Sequence, residues 1–193
     1  DFNNARVLRF AAPLSPSNPN PGATAVWGQS NLTSRSSPAQ ASGSAFAGPA
    51  GIAVDAAGSL YVSVPRENRV LGFASAGSAG GTANKVLGQT DFVTTNANSG
   101  ASPLTSPSAL YRPLDVKTDA NGNVFVCDSG NNRVLQFTGS AKSAVRVWGQ
   151  NDFITNGPNQ IKPVSISSPY KMVIDYSSPP FALYISDTNN NRV

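Results

Sequence analysis

A chain of 193 residues is long enough to bury a sizeable core, and 39% hydrophobic with only 12% charged residues, 17 glycines and 15 prolines favours short strands joined by turns over helices. The formal net charge of +4 is too small and too scattered for a nucleic-acid tract, and no apolar run approaches the ~18 residues of a membrane span. With no histidine and one cysteine, the composition excludes an internal disulfide framework and leaves Cys127 without an imidazole base.

The opening DFNNARVLRF places a strand through Val7, Leu8 and Phe10, followed by the proline-rich connection PLSPSNPNPG. A second strand, TAVWGQ at 24–29, returns as KVLGQ at 85–89 and RVWGQ at 146–150. Its glycines, Gly28, Gly88 and Gly149, end the strand by taking a conformation denied to other residues or by admitting a close backbone. After each GQ comes a long irregular segment, 30–48, 90–112 and 151–168, opening as SNL, TDF and NDF. Loops of this length and polarity are functional or locally packed. The first also spells NLT at 31–33, the triplet of a glycosylation acceptor.

Each loop rejoins the pattern through one apolar residue three before a proline: Phe46 and Pro49, Leu110 and Pro113, Ile166 and Pro169. A short strand follows, with Ile52 and Val54, Val116 and Thr118, and Met172 and Ile174 alternating as if one face were buried. It ends at Asp55, Asp119 or Asp175, before the turns AAGS, ANGN and the expanded YSSPPFA. These aspartates read as turn caps, with a cation-attracting ring at a channel mouth as the alternative. The strands LYVS, VFVC and LYIS then lead back to the opening motif, as VPRENRVLGF, CDSGNNRVLQF and SDTNNNRV. Its arginines, Arg6, Arg69, Arg133 and Arg192, are spaced by 63, 64 and 59 residues, the signature of a structural repeat.

Four successive antiparallel strands per repeat form a meander, the blade of a propeller. The fold class is therefore all-β, a β-propeller of four-stranded antiparallel blades, with about three blades' worth of strands. The module boundaries fall at 1–48 (partial blade), 49–112 (blade), 113–168 (blade) and 169–193 (partial blade). Three blades do not close a ring. The chain is then a fragment of a longer one, or two copies join head to tail as a homodimer of six blades.

GIAVDAAGSLYVSVPRENRVLGF and LDVKTDANGNVFVCDSGNNRVLQF resemble the NHL repeat. The resemblance extends to all modules, and it implies a six-bladed propeller that binds proteins, RNA or ligands, with related lyases and lactonases as a minority. Two departures from the motif, Val64 in place of its aspartate and Ala5 in place of its last asparagine, predict looser turns there.

The pairs Asp128 with Arg133 and Asp187 with Arg192 read as a fold-holding device present in every blade, and Arg6 and Arg69 as its other copies. Trp27, Leu87 and Trp148 share one position of the last strand and read as core. Because strands alternate direction, the motif turns and the three long loops emerge on one side of the disc. That face carries Arg66, Glu67, Asp91, Phe92, Tyr111, Arg112, Asp152 and Phe153, a polar and aromatic set suited to a partner. Phe92 and Phe153 have the second reading of loop anchors. The functional expectation is a non-catalytic scaffold, without metal or cofactor, that recognises a protein or glycan. The alternatives are a propeller-type lyase or lactonase with its site partly outside this chain, and an RNA-binding propeller, which the scattered basic residues do not favour. Scarce lysine and abundant Ser, Thr, Asn and Ala point to an exported protein, secreted or periplasmic.

Overall fold

The computed structural model describes residues 1–10, 19–76, 80–100, 105–158, 162–177 and 181–193. The middle of the proline-rich connection, parts of the second and third long loops and the tip of the YSSPPFA turn lie outside these residues. Strands β1 (Val7–Phe10) and β2 (Ala23–Trp27) form a two-stranded sheet. A four-stranded meander follows, of β3 (Ile52–Val54), β4 (Leu60–Val64), β5 (Arg69–Phe73) and β6 (Lys85–Leu87). The same order recurs in β7 (Pro113–Thr118), β8 (Val124–Asp128), β9 (Arg133–Phe137) and β10 (Arg146–Trp148). Last come β11 (Pro169–Asp175) and β12 (Ala182–Asp187), paired with each other. Among the described residues all pairings between these strands are antiparallel and join sequence neighbours, and the sheets stack face to face as blades of a β-propeller. Among the described residues no helix is long and apolar enough to cross a membrane.

Period-two alternation divides each middle strand between two cores. Val62, Leu71 and Phe73 face the first sheet and pack with Trp27 and Phe46, whereas Tyr61, Val70 and Leu87 face the next blade and meet Val126, Leu135 and Phe137. A third core joins Phe125, Cys127 and Val134 to Met172 of β11. Covered on both faces, β4, β5 and β8 are buried at every position, and each large apolar side chain placed there contributes about 1.5–3 kcal/mol.

The expected buried face of the short strand holds for Val116 and Met172, at 0% and 2% exposure, but not for Ile52 and Val54, at 53% and 54%. Ile52 and Val54 lie opposite Val62 and Leu60 on the face turned to the first sheet, and among the described residues that sheet contains β1 and β2 alone. Those two strands cover the outer part of the blade and leave β3 uncovered. Trp27 and Leu87 are core as expected, while Trp148 is half-buried against Phe125 at a face covered only by β11 and β12.

The strand-ending glycines adopt φ of +91°, +90° and +92°, and each closes a parallel bridge to the end of the following loop. At Gly88 an added Cβ would sit 2.7 Å from the Asn68 carbonyl and 2.7 Å from Leu110, so both left-handed backbone and close approach require glycine. The aspartates ending the inner strands are turn caps: Asp55 Oδ1 accepts the Ala57 and Ser59 N–H groups, and Asp119 Oδ1 those of Asn121 and Asn123. Asp175 accepts the Ser177 N–H in the same way.

Candidate functional site

The motif turns are single 3-10 turns, Pro65–Glu67, Ser129–Asn131 and Thr188–Asn190. Each is closed by an asparagine with φ of 51° to 55°, a residue that tolerates the left-handed region. From the strand that follows, the repeat arginine reaches back. Arg133 is fully buried, and its Nε donates to Asp128 Oδ2 at 2.8 Å. Its other nitrogens donate to the Phe153 carbonyl at 2.6 Å, Thr105 Oγ1 at 2.7 Å, and the Ser106 and Ala109 carbonyls at 3.0 Å. The guanidinium thereby clamps the third residue of the loop ahead to the last turn of the loop behind.

The other copies repeat these partners: Arg69 donates to the Phe92 and Ser42 carbonyls, Arg6 to that of Leu32, and Arg192 to those of Lys162 and Ser165. Arg6 pairs with Asp1 at 2.8 Å and Arg192 with Asp187 at 2.6 Å. The recurrence of SNL, TDF and NDF has its cause here, since their third residue supplies the clamped carbonyl. Burial pushes the Asp128 carboxyl above its ordinary value, against the pull of Arg133. For Asp187 burial also pushes upward, but the Ser167 N–H, the Asn190 amide and Arg192 outweigh it and hold the carboxyl below 3.8.

The turns at the two motif departures are not looser. Where the aspartate is replaced by Val64, the Glu67 carboxylate takes its place, binding Arg69 and accepting the Ala47 N–H at 2.7 Å, as Asp128 accepts that of Tyr111. Glu67 is therefore not a surface residue for a partner: it is 6% exposed, and burial raises its carboxyl above the usual value despite Arg69. Ala5, buried with φ of 51°, closes the first turn by donating its N–H to the Phe2 carbonyl.

Four more of the expected partner-facing residues serve the loops. The side chain of Asp91 accepts the Val93 and Thr94 N–H groups, and that of Asp152 those of Ile154 and Thr155. These bonds, led by those of Thr94 and Thr155, hold both exposed carboxyls below their ordinary value. Asn31 makes the same turn with its side-chain oxygen, so the NLT triplet is the first copy of a loop-opening device. Phe92 and Phe153 pack half-buried against the two main cores and anchor their loops.

Arg66, Tyr111 and Arg112 remain exposed, and the fold brings them together. The Asn68 side chain accepts the Arg112 N–H at 2.9 Å and donates to the Thr95 carbonyl at 2.8 Å, pinning the second long loop to the turn that carries Arg66. Asn132 and Ser168 repeat that contact one blade on. Arg66, Tyr111 and Arg112 line one open concavity of about 760 Å³, together with Tyr170 and Lys171 at the start of β11. Sequence reasoning missed Tyr170 and Lys171, and also the glutamine of each GQ. Gln89 and Gln150 donate to the carbonyls of Asn68 and Asn132 and to the loop at Asn96 and Gly157. Gln29 does the same with Ala5 and Ser36, so recurrence in all three copies was the available signal.

The architecture is that of propeller blades with a pinned loop face. Within it, residues 110–137 match the family model described as NHL repeat, a stretch running from the end of the second long loop through β9. Among solved structures the chain is similar to one described as "Streptogramin B lyase structure", with TM-score 0.40 and 10% identity, over 76% of this chain and 41% of that one. The chain thus spans under half the length of that structure. A comparison with curated proteins gave no match.

Proposed function

We propose that this propeller is a non-catalytic recognition scaffold that binds a protein or glycan partner on its loop face. One observation carries the reading. The charged groups that recur in every repeat are engaged in holding the turns, whereas three exposed side chains whose residue types do not recur, Arg66, Tyr111 and Arg112, gather from the two ends of one module at one concavity. Arginine and tyrosine are the residue types that dominate recognition hot spots. A sequence without histidine suits binding better than acid–base chemistry. Residence outside the cytoplasm belongs to the same proposal and rests on composition alone. The exposure of Ile52, Val54, Val173 and Tyr184 supports a further part of the proposal, that additional blades cover these faces.

The test is a labelled full chain applied to peptide and glycan arrays. Binding to specific spots that is lost in an Arg66→Ala, Tyr111→Ala, Arg112→Gly triple variant with an unchanged melt supports the reading. Binding that ignores those changes but falls on substituting the Asn121 turn, at the opposite end of the strands, overturns it.

A further inference from the structure

The concavity carries a charge pattern that points to the chemistry of its ligand. Arg66, Arg112 and Lys171 line it, and among the described residues no carboxylate does. Lys171 is partly neutralised, lying 3.7 Å from the buried Asp115, which also pairs with Lys117 at 3.0 Å. Among the described residues no carboxylate pairs with either Arg66 or Arg112. The Arg66 guanidinium stands 4.9 Å over the Phe2 ring, so its stem is held while its charge stays exposed.

Both arginines depart from the repeat. The two residues before the strand-opening proline are Ala47 and Gly48 in one copy and Ser167 and Ser168 in another, where this module has Tyr111 and Arg112. Arg112 holds φ of +50° at a position that Gly48 fills elsewhere with φ of +66°. A side chain in the left-handed region costs about 1 kcal/mol relative to glycine, a cost the repeat also carries at Ser168, whose φ is +50°. In the motif turn, Arg66 stands where the other copies have Asn3, Gly130 and Asn189. At Gly130 a Cβ would lie 2.4 Å from the Tyr111 ring, so this glycine admits Tyr111 to the wall of the concavity.

The neighbouring surface selects among anionic ligands. Pro49, Ala50, Pro65 and Leu114 make an apolar part of the lining. Each polar atom of the Asn68 side chain already holds a loop bond, to Arg112 N–H and to the Thr95 carbonyl, so the full charges of the hollow are its strongest free recognition groups. A single nucleic-acid strand requires a cationic groove that tracks successive phosphates, whereas these cations close on one hollow. Resting on the loop-face reading above, we infer that the concavity binds an acidic segment of a protein partner. Side-chain carboxylates of that segment are held by Arg66 and Arg112, and its apolar neighbours lie against Ala50, Leu114 and the tyrosine rings.

The test is fluorescence anisotropy with labelled hexaglutamate, hexaglutamine, a polygalacturonate fragment and hexauridylate. Hexaglutamate is expected to bind and hexaglutamine not to. Arg66→Gln and Arg112→Gly each weaken hexaglutamate on the order of tenfold through loss of a charge-assisted contact. Arg112→Gly leaves the melt unchanged or raised, since it installs the residue of the first copy. Arg146→Gln, the same charge loss on β10 outside the concavity, leaves binding unchanged. The inference is overturned if hexaglutamate does not bind, if Arg146→Gln weakens it equally, or if polygalacturonate or hexauridylate binds more tightly through the same arginines. A neutral array ligand that depends on Arg66 and Tyr111 would overturn the acidic specificity and leave the loop-face reading standing, while array binding indifferent to both would sink the two together.

Discussion

Replacing Arg133 with alanine isolates what the repeat motif does. The side chain is fully buried, and five hydrogen bonds from it join Asp128, Phe153, Thr105, Ser106 and Ala109. Its removal strands the buried Asp128 carboxylate, leaving the Asn131 amide at 2.7 Å and the Tyr111 N–H at 2.7 Å, and frees three carbonyls in two loops. Breaking a buried ion pair from one side costs about 3–5 kcal/mol, because the remaining charge loses its partner. For a chain of this length each kcal/mol moves the melting temperature by about 2–4 °C, so a fall of about 10 °C is expected. Scanning calorimetry with urea denaturation measures both quantities. An Asp128→Asn, Arg133→Met double variant loses less than the sum of its single changes, since the orphaned charge is gone. A fall below about 2 °C for Arg133→Ala would refute the clamp, being smaller than the loss of even one buried hydrogen bond.

Three further outcomes follow from other parts of the fold. Gly88→Ala forces a Cβ to 2.7 Å from the Asn68 carbonyl at φ of +90° and is expected to cost about 3 kcal/mol, read as a lowered urea midpoint; a neutral result would contradict the close approach. Cys127, 0% exposed, has its thiol pushed far up by burial, so a thiol reagent should label it only on unfolding; rapid native labelling would contradict the packing. The Asp187 carboxyl is held below 3.8, so its contribution to stability is present above that pH and lost as pH falls through its folded value. The melting difference between wild type and Asp187→Asn should therefore shrink on acidification from about pH 5 to about pH 2, and a difference that grows would contradict the sign.

The blades were legible because their determinants are local and recur: alternating apolar strands, a capping aspartate before each hairpin turn, and an arginine at fixed phase. The role of Glu67 was not, because its carboxylate reaches the site of the missing aspartate only after a 3-10 turn brings position 67 round to where position 64 would act. Exposure of Ile52 and Val54 depends on which strands stand opposite, a tertiary property that period two does not encode. Loop anchoring is one of two readings the sequence allows for Phe92 and Phe153, and both rings pack against the cores. The meeting of Arg66 and Arg112 with Tyr170 and Lys171 joins two modules that are not adjacent in the chain and was invisible in sequence. What pointed there was departure from the repeat, with Tyr111–Arg112 standing where the other copies have Ala–Gly and Ser–Ser.

The central claim divides the charged residues of this face into those that hold the turns and those that meet a partner. The most direct test measures the melting temperature and hexaglutamate anisotropy side by side for Arg133→Ala and for the Arg66→Gln, Arg112→Gly double variant. The account predicts that Arg133→Ala lowers the melt by about 10 °C, whereas the double variant keeps the melt and loses hexaglutamate on the order of a hundredfold. A double variant that melts lower yet binds as before would contradict it.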